Sequence, residues 1–139
     1  MHMKLVIDSN IVISALIKDS KTRELILEYG FELYYPRASL NNFEKYKQEI
    51  IDKAGINAEE FEKIYQILLE KISIIENIIF LDKLDEALTI IGNIDIEDVP
   101  FIALALSIEN DGIWTDDADF DKQNKIKVWK TGDVLKSLM

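Results

Sequence analysis

Apolar positions along this chain follow two rhythms. Leu5-Val6-Ile7, opened by Lys4 and closed by Asp8, is a short unbroken run of the kind that forms a strand buried on both faces. Glu32 to Tyr35, ending at Pro36, reads as a second strand. Ile113-Trp114-Thr115 after a turn at Gly112 and Lys127-Val128-Trp129 read as two more. Between them the rhythm is helical. Asn10 to Ile17 is apolar on most faces, which predicts a largely buried helix, and Ser20 is placed to cap a second helix running to Glu28 and stopped by Gly30. A long helix is predicted over Arg37 to Lys53, with Leu40, Phe43, Lys47, Ile50 and Ala54 near one face, Asn42, Lys45 and Glu49 off it, and Gly55 at its end. Asn57-Ala58-Glu59-Glu60 has the form of a capping box for a helix reaching Ile74. Phe61, Ile64, Ile67, Leu68 and Ile72 keep its register, as core or as a groove for a partner helix. Ile78 to Leu81 reads as a strand or an extended connector. Leu84 to Ile91 is a short helix closed by Gly92, Asp95 to Val99 an acidic lead-in to a helix over Phe101 to Ile108, and Thr131 to Leu138 a last helix. Strands alternating with helices predict an α/β fold, a three-layer α/β/α sandwich with a mostly parallel central sheet joined by right-handed crossovers. With 139 residues and no linker, repeat or low-complexity run, one domain over 1–139 is expected. Met1-His2-Met3 at the start reads as a cloning remnant.

Composition narrows the chemistry more than the fold. An apolar fraction of 48% with 30% charged residues supports a globular core and excludes intrinsic disorder. There is no Cys, so disulfide frameworks and thiolate metal sites are excluded. The single histidine, His2, rules out a multi-His zinc site and leaves a Ser-His or Cys-His mechanism without a base. Any catalysis then falls to oxygen ligands. The 16 Lys and Arg against 26 Asp and Glu give a net charge of −10, which argues against broad electrostatic binding of nucleic acid. It leaves room for an enzyme that reaches phosphates through bound cations. No apolar run is long enough to span a membrane and no signal peptide is visible, so a cytoplasmic location is expected.

In a parallel α/β sheet, ligands bind beyond the carboxyl ends of the strands. Asp8 ends the first strand, Asp117 follows the Ile113-Trp114-Thr115 strand, and Asp98 opens the helix that precedes that strand. Each could be a turn or cap residue, and Asp116, Asp117, Asp119 and Asp121 could be no more than a solvated loop. Brought together, these carboxylates repel one another unless a cation lies between them. An all-oxygen set suits Mg²⁺ or Mn²⁺, and such an ion can polarise a phosphodiester and activate water.

Three stretches resemble the motifs of PIN-domain nucleases. Val6-Ile7-Asp8-Ser9-Asn10 is similar to the family's opening motif, Asp98-Val99-Pro100-Phe101-Ile102-Ala103-Leu104-Ala105 to its third, and Ile113-Trp114-Thr115-Asp116-Asp117-Ala118-Asp119-Phe120 to its fourth. They occur in order over nearly the whole chain. The resemblance implies metal-dependent phosphodiester hydrolysis, usually of RNA. It implies Asp8, Asp98 and Asp117 as catalytic metal ligands, Asp119 for a second metal or a water, Asn10 supporting the first ligand by hydrogen bonding, and Thr115 orienting the last loop. Asp116 rivals Asp117, with spacing from Thr115 favouring Asp117. Asp95 and Glu97 rival Asp98, with the following Pro-Phe favouring Asp98. The second motif departs from the pattern: Asn42, flanked by Leu40 and Phe43, stands where the family carries Glu. Glu44, about 200° further around a helix, should point elsewhere.

A stand-alone domain of this size resembles the toxin member of VapBC-type toxin–antitoxin pairs, which implies a small antitoxin partner and a homodimer. The alternative is a PIN-like module that binds RNA or protein and cleaves nothing, since Asn42 lacks the charge of a Glu. A phosphoacceptor receiver domain ranks third, because no mid-chain strand presents an Asp nucleophile and no strand-ending Lys completes such a site. Lys122, Lys125, Lys127 and Lys130 could touch phosphates or form a solvated face. The Tyr and Trp residues are expected to be packing residues rather than base-stacking platforms.

Overall fold

The first strand, β1 (Lys4–Ile7), lies at the centre of a five-stranded sheet, which is why its sequence is apolar without alternation. The computed structural model describes residues 3–17 and 20–139. Met1 and His2, read as a cloning remnant, lie outside the described residues. The other strands are β2 (Glu32–Pro36), β3 (Ile72–Ile75), β4 (Gly112–Trp114) and β5 (Val128–Trp129), in the order β3-β2-β1-β4-β5. Every pairing is parallel, so the sheet is wholly rather than mostly parallel. Leu5, Val6, Ile7, Ile113 and Trp114 are fully buried. Gly112 is required at the start of β4: its φ is +138°, and a Cβ there would lie 2.4 Å from the carbonyl oxygen of Lys127, the residue before β5.

Seven α-helices are present among the described residues: α1 (Ser9–Ile17), α2 (Lys21–Glu28), α3 (Asn41–Ala54), α4 (Ala58–Glu70), α5 (Leu84–Ala87), α6 (Val99–Ser107) and α7 (Thr131–Lys136). The chain is an α/β/α sandwich. Helix α1 packs on α2, α3 and α4, whereas α6 packs on α5 and on β1, β2 and β4. The predicted caps at two helices are present. Ser20 Oγ accepts from Arg23 N–H at 3.4 Å, and Asn57 and Glu60 form the reciprocal box that opens α4.

Four departures from the reading of the sequence exceed two residues or change the type of element. Helix α4 ends at Glu70, and Ile72–Ile75 is strand β3, not the tail of that helix. Ile72 continues the helical register of Phe61, Ile64 and Leu68, which hid the strand. Its three isoleucines gain ladder hydrogen bonds and packing beside β2 that a helical turn would not supply. Ile78 to Leu81 is no strand: it falls in two 3₁₀ turns, Asn77–Ile79 and Leu81–Lys83. Arg37–Ser39 is a separate 3₁₀ turn after Pro36, so α3 starts four residues later than expected. The short helix before Gly92 is α-helical only over α5 and continues as a π-helical turn, Leu88–Gly92.

The strand order places the site. The chain moves outward from β1 through β2 to β3, then crosses back to lay β4 on the other side of β1. The crevice between the carboxyl ends of β1 and β4 is therefore the topological switch point, where parallel sheets bind ligands.

Candidate metal centre

Asp8 leaves β1 at this switch point and is nearly fully buried, and its backbone N–H still bonds the Trp114 carbonyl of β4 at 3.0 Å. Thr115, the first residue beyond β4, is completely buried. Its hydroxyl donates to Asp8 Oδ2 at 2.7 Å and accepts from the Asp117 N–H at 3.0 Å. One side chain thus ties the end of β1 to the loop after β4. Asp117 Oδ1 accepts from the Asp119 N–H at 2.9 Å, which fixes the next turn of the loop. The remaining support for Asp8 comes from the backbone N–H groups of Ser9 and Asn10, while the Asn10 side chain lies exposed on the rim.

Asp98 comes from the opposite direction. Helix α6 is driven into the core by Val99, Phe101, Ile102, Ala103, Leu104 and Ala105, all buried, with Pro100 in its first turn. Asp98 is the residue at its N-terminus, yet its side chain makes no capping hydrogen bond. It is only 6% exposed, and Oδ2 has no hydrogen-bond partner. Buried carboxylate oxygens without partners are costly, so this one needs an explanation outside the protein.

Asp8, Asp98, Asp117, Asn10 and Asn42 all line one cavity of about 310 Å³, together with Asp95 and Glu97. Asp119 stands beside it. One carboxylate oxygen from each of Asp95, Asp98 and Asp119 lies within 4.8 Å of the other two. Among the described residues this is the only trio so close, so Asp95, weighed in the sequence only as a rival of Asp98, belongs to the same cluster. Glu97 is exposed and faces Lys45 Nζ at 3.8 Å. Asp116 is turned away: its two oxygens accept from the Thr131 N–H at 2.8 Å and the Thr131 hydroxyl at 2.6 Å. Asn42 faces the cavity from α3, while Glu44 is exposed and off its lining.

The electrostatics follow from this crowding. Burial, then repulsion from Asp8, Asp95, Asp117 and Asp119, pushes the Asp98 carboxyl up to about 8. Burial pushes Asp8 up to about 6, opposed by the Thr115 hydrogen bond and aided by repulsion from Asp117. Lys122 Nζ, 3.3 Å from Asp119 Oδ1, is a largely exposed counter-charge. An all-oxygen donor set, an orphaned buried carboxylate oxygen and unrelieved repulsion fit a hard divalent cation.

Sequence reasoning missed three features. The Thr115 hydroxyl reaches Asp8 as well as its own loop. Asp95 joins the cluster. The cavity also extends between α1 and α3 past Ile13, Ile17, Tyr46 and Ile50 to Lys53. The stripe Asn42, Tyr46, Glu49, Lys53 at helical spacing was the available signal for that extension.

Asp116→Ala is expected to lower stability by about 1 kcal/mol through loss of the α7 start. Thermal melts should fall by a few degrees while divalent-cation affinity, read by calorimetry, stays unchanged. A drop in that affinity would make Asp116 a ligand.

Comparison with protein families places a match to the PIN domain over residues 6–139. A comparison with curated proteins finds no match.

Proposed function

Because the chain belongs to the PIN-domain family, a family of generally metal-dependent nucleases, we propose that it is an endoribonuclease that hydrolyses RNA phosphodiester bonds with Mg²⁺ or Mn²⁺. The observation that carries this reading is Asp98 Oδ2, buried without a partner among the carboxylates of Asp8, Asp95, Asp117 and Asp119. Asp8, Asp98 and Asp117 would hold the cation, with Asp119 beside them. Bound there, the ion would polarise the scissile phosphate and lower the pKa of an attacking water. The protein's own part is positioning. Thr115 holds the Asp8 carboxylate and the Asp117 backbone in fixed relation, and the Ser9 and Asn10 amides steady Asp8 from below. The α1–α3 end of the cavity gives an RNA strand room to leave the reacting phosphate.

The net charge of −10 accords with substrate reached through cations rather than through a basic surface. We place the protein in the cytoplasm as the toxin of a toxin–antitoxin pair, acting as a homodimer with a small antitoxin. Among the described residues no helix is long and apolar enough to cross a membrane. One observation favours a second reading, a module that binds RNA or protein without cleaving it: the cavity wall carries Asn42 where a charged Glu would complete the ligand set.

Incubation of the protein with labelled single-stranded RNA separates the two. Cleavage with Mn²⁺ or Mg²⁺ that stops on adding EDTA is expected. RNA binding without cleavage at saturating metal would favour the second reading.

A further inference from the structure

We propose that Asp95 is a direct ligand of the divalent cation, supplying the anionic oxygen that Asn42 does not. This rests on the metal-centre reading above. Six ligands around Mg²⁺ at 2.0–2.1 Å place neighbouring oxygens about 3 Å apart and opposite ones about 4 Å apart. The oxygens of Asp95, Asp98 and Asp119, all within 4.8 Å of one another, need only a small contraction to meet that geometry. The second observation is Asp98 Oδ2, which is buried and has no partner in the protein. A cation held between Asp98 and Asp95 would satisfy that oxygen.

Asp95 is also held in place before any ion arrives. Its Oδ1 accepts the Glu97 N–H at 2.9 Å, and its carbonyl accepts the Asp98 N–H at 3.2 Å. The turn Ile96–Asp98 therefore fixes Asp95 and Asp98 relative to each other, and Asp95 Oδ2 remains for a ligand. The neighbouring acid, Glu97, faces Lys45 on α3 instead. That ion pair links the turn to the helix that carries Asn42. Asp95 and Asn42 thus approach one cavity from two elements, and only Asp95 brings charge.

The plainer role of Asp95 is to cap the turn. Asp95→Asn separates the roles, because an Asn side-chain oxygen still accepts the Glu97 N–H while the negative charge is gone. Mn²⁺ binding to the full chain is measured by calorimetry and by the loss of free-ion EPR signal, beside metal-free thermal melts. The expected result is an affinity at least about tenfold weaker in Asp95→Asn, with a metal-free melting temperature equal to or above the parent. The double variant Asp95→Asn with Asn42→Glu should recover most of the lost affinity, which no turn-capping role would produce. Affinity within twofold of the parent in Asp95→Asn, with Asp98→Asn abolishing binding, would overturn the proposal and leave the metal centre standing. Unchanged Mn²⁺ binding in both single variants would overturn the centre itself.

Discussion

Asp98→Asn is expected to cut cleavage of single-stranded RNA by about a thousandfold, roughly 4 kcal/mol of barrier, while the metal-free protein melts higher than the parent at pH 8. The two effects share one cause. The Asp98 carboxylate is buried, carries an oxygen with no partner, and is surrounded by Asp8, Asp95, Asp117 and Asp119. Without a cation its negative charge is opposed from every side, so a neutral amide of the same shape relieves repulsion and offers N–H donors to nearby carboxylate oxygens. With a cation the same charge is what binds the ion, and its removal weakens the chemistry that the ion supplies. Thermal melts in EDTA and single-turnover cleavage at saturating Mn²⁺ test both halves. A metal-free variant that melts lower than the parent would mean that Asp98 serves the fold, and near-parental cleavage would remove it from the reaction.

The opposed demands on Asp98 also explain what could be read from the sequence. A strand that ends in Asp8 and a helix entered through Asp98-Val99-Pro100 are local patterns: apolar runs define the element, and the acid marks its end. Parallel topology then requires the carboxyl ends of β1 and β4 to meet, because the sheet order reverses between them. The fold class needed no more than this. Strand β3 was lost because Ile72 satisfies a helical and a strand period at once, and only pairing with β2 decides between them. Fine detail at the site depends on contacts between distant positions. Spacing can rank Asp116 below Asp117, but it cannot show that Thr131, 15 residues on, takes both Asp116 oxygens. Nor can it show that Thr115 spans to Asp8 across 107 residues of chain. Asp95 and Asp119 meet through the packing of two short turns, and a turn carries no period from which to predict its direction.

The stability of the metal-free protein is expected to fall steeply between pH 5 and pH 8.5, and saturating Mg²⁺ or Mn²⁺ should flatten that fall. Asp98 is pushed up to about 8 and Asp8 to about 6 in the folded chain, whereas both titrate near 3.8 when unfolded. Below about pH 4 both states hold the protons and neither group changes stability. Between 4 and 8 the folded chain keeps protons that the unfolded chain has released, so raising the pH favours unfolding. The loss from Asp8 is complete a little above 6, and that from Asp98 only above 8. One pKa unit corresponds to about 1.4 kcal/mol, so the combined loss is of the order of several kcal/mol. For a domain of this length that is roughly 10 °C in melting temperature or more. Asp98→Asn should remove most of the fall above pH 6.5, and Asp8→Asn about half of the fall below it, where both carboxyls contribute. A bound dication reverses the preference, because it favours the ionised carboxylates and strengthens as they lose their protons. Melting curves across this range, in EDTA and in excess Mn²⁺, read both slopes directly. A metal-free protein whose melting temperature is flat or rises from pH 5 to 8.5 would show that these carboxylates are ionised and satisfied without a cation, and the metal centre would lose its electrostatic basis.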